Sequence, residues 1–135
     1  MEPNTKSQPA APRLFLPAKR ALTVIGVLGL AAVSAALFLR YGIIQNSALG
    51  FACEGGEQSR ICTFRLAAIL LFGRGVFGWT ALIAAGINLW RPNVVAFGIG
   101  VVFALLGLVL YNTRVSALAA ALLVLSLARP SPGGK

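Results

Sequence analysis

Histidine is absent from this 135-residue chain, and only three acidic residues occur, Glu2, Glu54 and Glu57. Without an imidazole there is no histidine general base, no Ser-His-Asp arrangement and no haem or copper ligand set. A zinc site draws three or four ligands from Cys, His and carboxylates, and two cysteines with three glutamates do not readily supply them. Catalysis by side chains is therefore not expected, and neither a metal nor another cofactor is implied. The chain reads as a non-enzyme.

Hydrophobic residues, by contrast, make up 58% of the chain, and its mean hydropathy is +0.84. Soluble domains lie near 45–50% apolar, so the composition belongs to a membrane protein. The net charge of +9 would attract phosphates if it formed a patch. Instead the cations stand singly between apolar runs, with short clusters only around the first. No basic stripe interleaved with aromatics is present, so the expected partner is the lipid bilayer and not nucleic acid.

Read along the chain, the pattern predicts an all-α integral membrane protein, a four-helix transmembrane bundle with both termini cytoplasmic. Residues 1–18 are polar and proline-rich and read as a disordered tail. An uncharged run follows at 21–39, and nineteen residues at ~1.5 Å each match a bilayer core of ~30 Å. Val33-Ser34-Ala35 has the small-residue character of a signal cleavage site. The run nevertheless continues to Leu39 before Arg40 stops it, which favours an uncleaved helix. The remaining spans are expected at about 66–90, 94–110 and 115–128, inside a membrane domain at 19–129 followed by a tail at 130–135. Arg91-Pro92-Asn93 makes the tight turn between the second and third, because proline cannot continue the helical ladder. The fourth run is short, and Arg114 and Arg129 extend it by snorkelling.

Orientation follows from the cations. With the amino terminus inside, the cytoplasmic side carries Lys6, Arg13, Lys19, Arg20, Arg91, Arg129 and Lys135; the outer side carries Arg40, Arg60, Arg65 and Arg114. This is the sense of the positive-inside rule. Cys53 and Cys62 then fall in the outer segment 41–63, where an oxidising compartment lets a disulfide persist. The pair is expected to staple that loop. A thiol oxidoreductase is a weaker reading, since eight residues separate the cysteines and no second pair exists to relay electrons.

Arg74 lies within the second apolar segment, between Gly73 and Gly75. An arginine near the bilayer centre costs ~2.5–3.5 kcal/mol on insertion scales and usually faces protein or water. It is a candidate contact for a lipid phosphate, a transported anion or a partner's carboxylate, which the guanidinium fork suits. Alternatively the span begins near Gly75 and Arg74 snorkels outward. Arg40, Arg65 and Arg114 are further candidates of the same kind. Small residues mark helix-packing faces: Gly29, Ala32 and Ala36 on the first helix, and Ala96, Gly100, Ala104 and Gly107 on the third.

The functional expectation is an accessory or assembly subunit that packs with other envelope membrane proteins, or self-associates, in a bacterial inner membrane. The alternative is a small oligomeric transporter or channel for an anion or lipid headgroup that uses Arg74.

Overall fold

The structure, a computed structural model, describes residues 14–56 and 58–130. The tail readings at 1–13 and 131–135 lie outside the described residues, as does Glu57. Among the described residues the protein is helical throughout, with no strand beyond an isolated bridge between Leu14 and Pro130. In chain order the helices are α1 (Lys19–Leu37), which runs on as a π-helical segment (Phe38–Ile44), α2 (Ser47–Glu54), α3 (Arg60–Gly73), α4 (Val76–Trp90), α5 (Val94–Val109) and α6 (Thr113–Leu127).

Local chemistry sets several of these boundaries. Asn93, after Pro92, caps α5 by accepting from the Val95 N–H at 2.9 Å, and Asn46 caps α2 by accepting from Ala48 and Leu49. Each supplies a side-chain oxygen to N–H groups that the first helical turn leaves orphaned. Gly75 takes the left-handed conformation (φ 70°) and separates α3 from α4, a backbone state natural to glycine. At the end of α5 the Asn112 N–H reaches back to the Gly107 carbonyl at 2.9 Å. This is the six-to-one bond of a Schellman ending, with Tyr111 (φ 66°) at the left-handed position.

Two expectations change here. The segment at 66–90 is not one helix: α3 and α4 meet at a 45° bend, because Gly73-Arg74-Gly75 closes one helix and starts the next. The segment at 41–63 is not simply an outer loop. The first helix continues without a break to Ile44, giving 26 residues or about 39 Å. α2 and the opening turn of α3 occupy most of the remainder.

α4, α5 and α6 pack on one another, and α1 lies along α5. The centre is built from Ala81, Ala85, Phe97, Ala104, Ala119 and Leu123, flanked by Ile25, Leu82, Val101 and Phe103. α3 stands apart, with Ala68 its one buried residue. The Phe15 N–H donates to the Arg129 carbonyl at 3.1 Å, which ties the entry to α1 to the exit from α6. Arg129 also donates to the Leu89 carbonyl, and Arg20 flanks the same furrow as Val94 and Val95. The starts of α1 and α5 therefore share one end with the finishes of α4 and α6.

By length and composition, one helix among the described residues, Lys19–Ile44, is apolar and long enough to cross a membrane alone; the bent α3–α4 pair qualifies only if taken together. α5 and α6 are apolar but span only about 22–24 Å.

Candidate functional site

The densest polar cluster forms where the π-helical segment meets the α5–α6 turn. One end of the Arg40 guanidinium donates to the Val109 carbonyl at 2.6 Å. Its Cζ lies 4.2 Å from the Tyr111 ring centroid and 5.6 Å from that of Tyr41. Gln45 donates to the Tyr111 hydroxyl. π-helical turns recur at functional positions, and a tyrosine at φ > 0 is a conformational outlier. Both irregularities bring Arg40 and Tyr111 together, and the cation–π contact offsets part of the backbone strain.

Arg65 acts one layer further out. It donates to the Ile44 carbonyl at 3.4 Å and lies across Gly50 of α2, where an added Cβ would come within 3.2 Å of its guanidinium. Arg40, Arg65 and Arg129 thus each meet a carbonyl at the end of a helical segment, respectively α5, the π-helical segment and α4. The last carbonyls of a helix lack intrahelical partners and carry the negative end of the macrodipole, so a cation there is favourable. Arg40 and Arg65 are engaged with backbone and not with each other; the Nε atom of each is buried with no hydrogen bond.

Arg74 and Arg114 differ from these two. Both are exposed, Arg74 at the α3–α4 bend and Arg114 in the first turn of α6. Asn112 donates to the Gly75 carbonyl at 2.8 Å, so Arg74 stands level with the α5–α6 turn.

Cys53 and Cys62 form a disulfide with a Cα–Cα distance of 5.5 Å, joining the end of α2 to the first turn of α3. Replacing both with serine is expected to loosen the α2–α3 connection by about 2.5 kcal/mol, from loop-closure entropy over roughly ten residues. Tryptic cleavage at exposed Arg60 should accelerate while helix content, read by circular dichroism, stays unchanged.

The small residues are occupied within the chain. Gly29 faces Leu105, Gly100 faces Leu123 and Gly107 faces Ser116. Ala36 and Ala104 are buried, whereas Ala32 and Ala96 are half-buried. Two polar residues complete the packing: Ser126, and Asn88, whose place one turn before Trp90 suggests solvation at an interface but which is buried instead. Asn88, 1% exposed, donates to Ser126 Oγ at 2.8 Å and accepts from the Asn93 N–H at 3.0 Å. The Ser126 hydroxyl in turn donates a hydrogen bond to the Leu123 carbonyl. Asn88→Leu is expected to cost about 1.5 kcal/mol, because it removes a buried interhelical hydrogen bond and leaves the Asn93 N–H without its acceptor. Equilibrium unfolding in mixed micelles measures it, and a cost below a few tenths would mean that the Asn88–Ser126 pair is replaceable.

Among the described residues no group of three metal-ligating side chains converges. No protein-family model matches this chain, and no curated protein or solved structure is significantly similar to it.

Proposed function

We propose that this chain is a non-catalytic polytopic membrane protein, an accessory or assembly subunit that packs with other envelope membrane proteins. One observation carries the reading: the distribution of side chains is inverted relative to a protein in water. The buried positions of α4 and α6 are Gly78, Ala81, Ala84, Ala85, Asn88, Ser116, Ala119, Leu123 and Ser126. The large aliphatics point outward, with Leu30 71%, Ile83 60% and Val124 66% exposed. Water would drive those side chains inward. Contiguous exposed apolar surface marks lipid or a protein partner, and small residues at helix contacts are how helices associate in lipid.

α3 supports the same reading. Its stretch at 66–72 is apolar on every side and mostly exposed, and such a surface requires lipid or a partner around it. In the proposed topology α1, α4, α5 and α6 make four crossings, and α3 bends away at the level of the α5–α6 turn. The shared end of the bundle carries Lys19, Arg20, Arg91 and Arg129 and faces the cytoplasm. Short α5 and α6 span by snorkelling of Arg91, Arg114 and Arg129 and by local thinning. A bacterial inner membrane suits an outer-face disulfide together with this composition.

The test has two stages. Alkaline carbonate should leave the chain in the membrane pellet, and purification should require detergent throughout. In mild detergent a stoichiometric membrane partner is expected to co-elute. A homo-oligomer that moves anions across vesicle walls in an Arg74-dependent way would replace the subunit reading with the transporter.

A further inference from the structure

A furrow of about 520 Å³ runs between α1 and α5. Its floor is closed where Ile25 meets Gly98, at a separation a Cβ on Gly98 would reduce to 3.3 Å. Its walls are the apolar faces of Val24, Leu28, Val95, Ile99 and Phe103, and the one charged residue lining it is exposed Arg20, at the mouth. α1 and α5 both begin at that mouth, and neither has an acidic residue in its first turn, so their macrodipoles add positive potential to the cation.

We propose that this furrow binds one anionic phospholipid, with its phosphate at Arg20 and one acyl chain along the α1–α5 wall. The inference rests on the membrane reading above. Charge complementarity selects the occupant. A second copy would bring apolar helices, but α1 and α5, which line the furrow, carry no acid to meet the guanidinium. A phospholipid supplies both halves, a chain for the trough and a phosphate for the guanidinium, a pairing that arginine geometry favours. Val24 to Phe103 would then be covered along a length no headgroup enters, and Arg20 would discriminate between lipids.

The test is native mass spectrometry of the detergent-purified full chain, given equal amounts of dioleoyl phosphatidylglycerol and dioleoyl phosphatidylcholine. The wild type is expected to retain one phosphatidylglycerol with about tenfold preference, because both lipids offer a phosphate but the quaternary ammonium of phosphatidylcholine cancels its net charge and repels the guanidinium. Arg20→Gln should bring the two lipids near parity. Val24→Trp, at a position already 57% exposed, should fill the trough and abolish retention of both without altering helix content. Arg60→Gln removes a charge of the same sign elsewhere and should leave the preference intact.

Equal retention by the wild type overturns the site, as does a preference that survives Arg20→Gln. A lipid-free dimer that Val24→Trp dissociates would assign the furrow to a second copy instead. The membrane reading fails separately: a chain that is monodisperse without detergent refutes both, whereas a detergent-dependent chain with no lipid preference refutes the site alone.

Discussion

Valine at position 78 is expected to destabilise the bundle by about 3 kcal/mol, at the upper end of the usual cost of overpacking. α4, α5 and α6 come closest where Gly78, Gly107, Asn112 and Ser116 meet. A Cβ on Gly78 would lie 2.7 Å from Asn112 Cγ and 3.1 Å from Val115 Cβ. Even the first added carbon would push Asn112 off the Gly75 carbonyl, and the branched methyls have nowhere to go. The facing position is similar: a Cβ on Gly107 would be 3.2 Å from Ser116 Cβ and 3.5 Å from the Gly78 nitrogen. Alanine at 107 should cost only about 1 kcal/mol, since the Ser116 hydroxyl, which has no hydrogen-bond partner, can rotate away. Gly26 and Gly86 serve as controls, because nothing lies within 4 Å of an added Cβ at either. Alanine there should stabilise the helices by about 0.5–1 kcal/mol. Unfolding by denaturing detergent in mixed micelles reads all four. Equal effects at 78 and 86 would show that the three-helix crossing is looser than described.

Arg40→Leu should cost about 3 kcal/mol and act mainly on the junction between the first helix and the α5–α6 turn. A charge-assisted hydrogen bond contributes roughly 1.5–3 kcal/mol and a cation–π contact roughly 0.5–2; the partial exposure of Arg40 holds the sum near the middle. Arg40→Lys should recover less than half, since an ammonium cannot both lie flat on Tyr111 and reach the Val109 carbonyl. Tyr111→Gly separates the two contributions. Glycine relieves the left-handed backbone, worth about 1 kcal/mol, but deletes the ring. A variant less stable than wild type, despite the relaxed backbone, would mean that the ring contact outweighs the strain. A more stable variant would mean that Tyr111 is held there for another reason. Hydrogen exchange at the Leu110–Thr113 amides localises the effect.

Several features were legible in residue order because they depend on neighbours along the chain. The first helix was read from an uncharged run, and the structure extends it beyond Arg40 to Ile44. The disulfide followed from two cysteines in one short polar segment. The small-residue faces of α1 and α5 were visible as spacings of three and four, since a helix sets residues so spaced on one side. Gly73 and Gly75 stand on either side of Arg74 in residue order, but whether the helix bends there is not legible from them alone. That depends on Asn112, thirty-seven residues beyond Gly75.

Arg40, Arg65 and Arg114 were grouped with Arg74 by residue type, on the premise that a guanidinium at a membrane boundary seeks an anion. The structure turns Arg40 and Arg65 toward the carbonyl ends of helical segments and leaves Arg74 and Arg114 exposed. A backbone acceptor has no residue letter, so composition does not reveal it. Asn88 and Ser126 were equally hidden, being thirty-eight positions apart.

Residue order alone determined that this chain is built of apolar helices with cations between them, because hydropathy and helical period are local properties. Tertiary structure decided which helix faces lie inside, which arginines close helix ends, and where a charged residue guards an open apolar furrow. Those outcomes depend on distances between segments far apart in the chain, and only packing sets such distances.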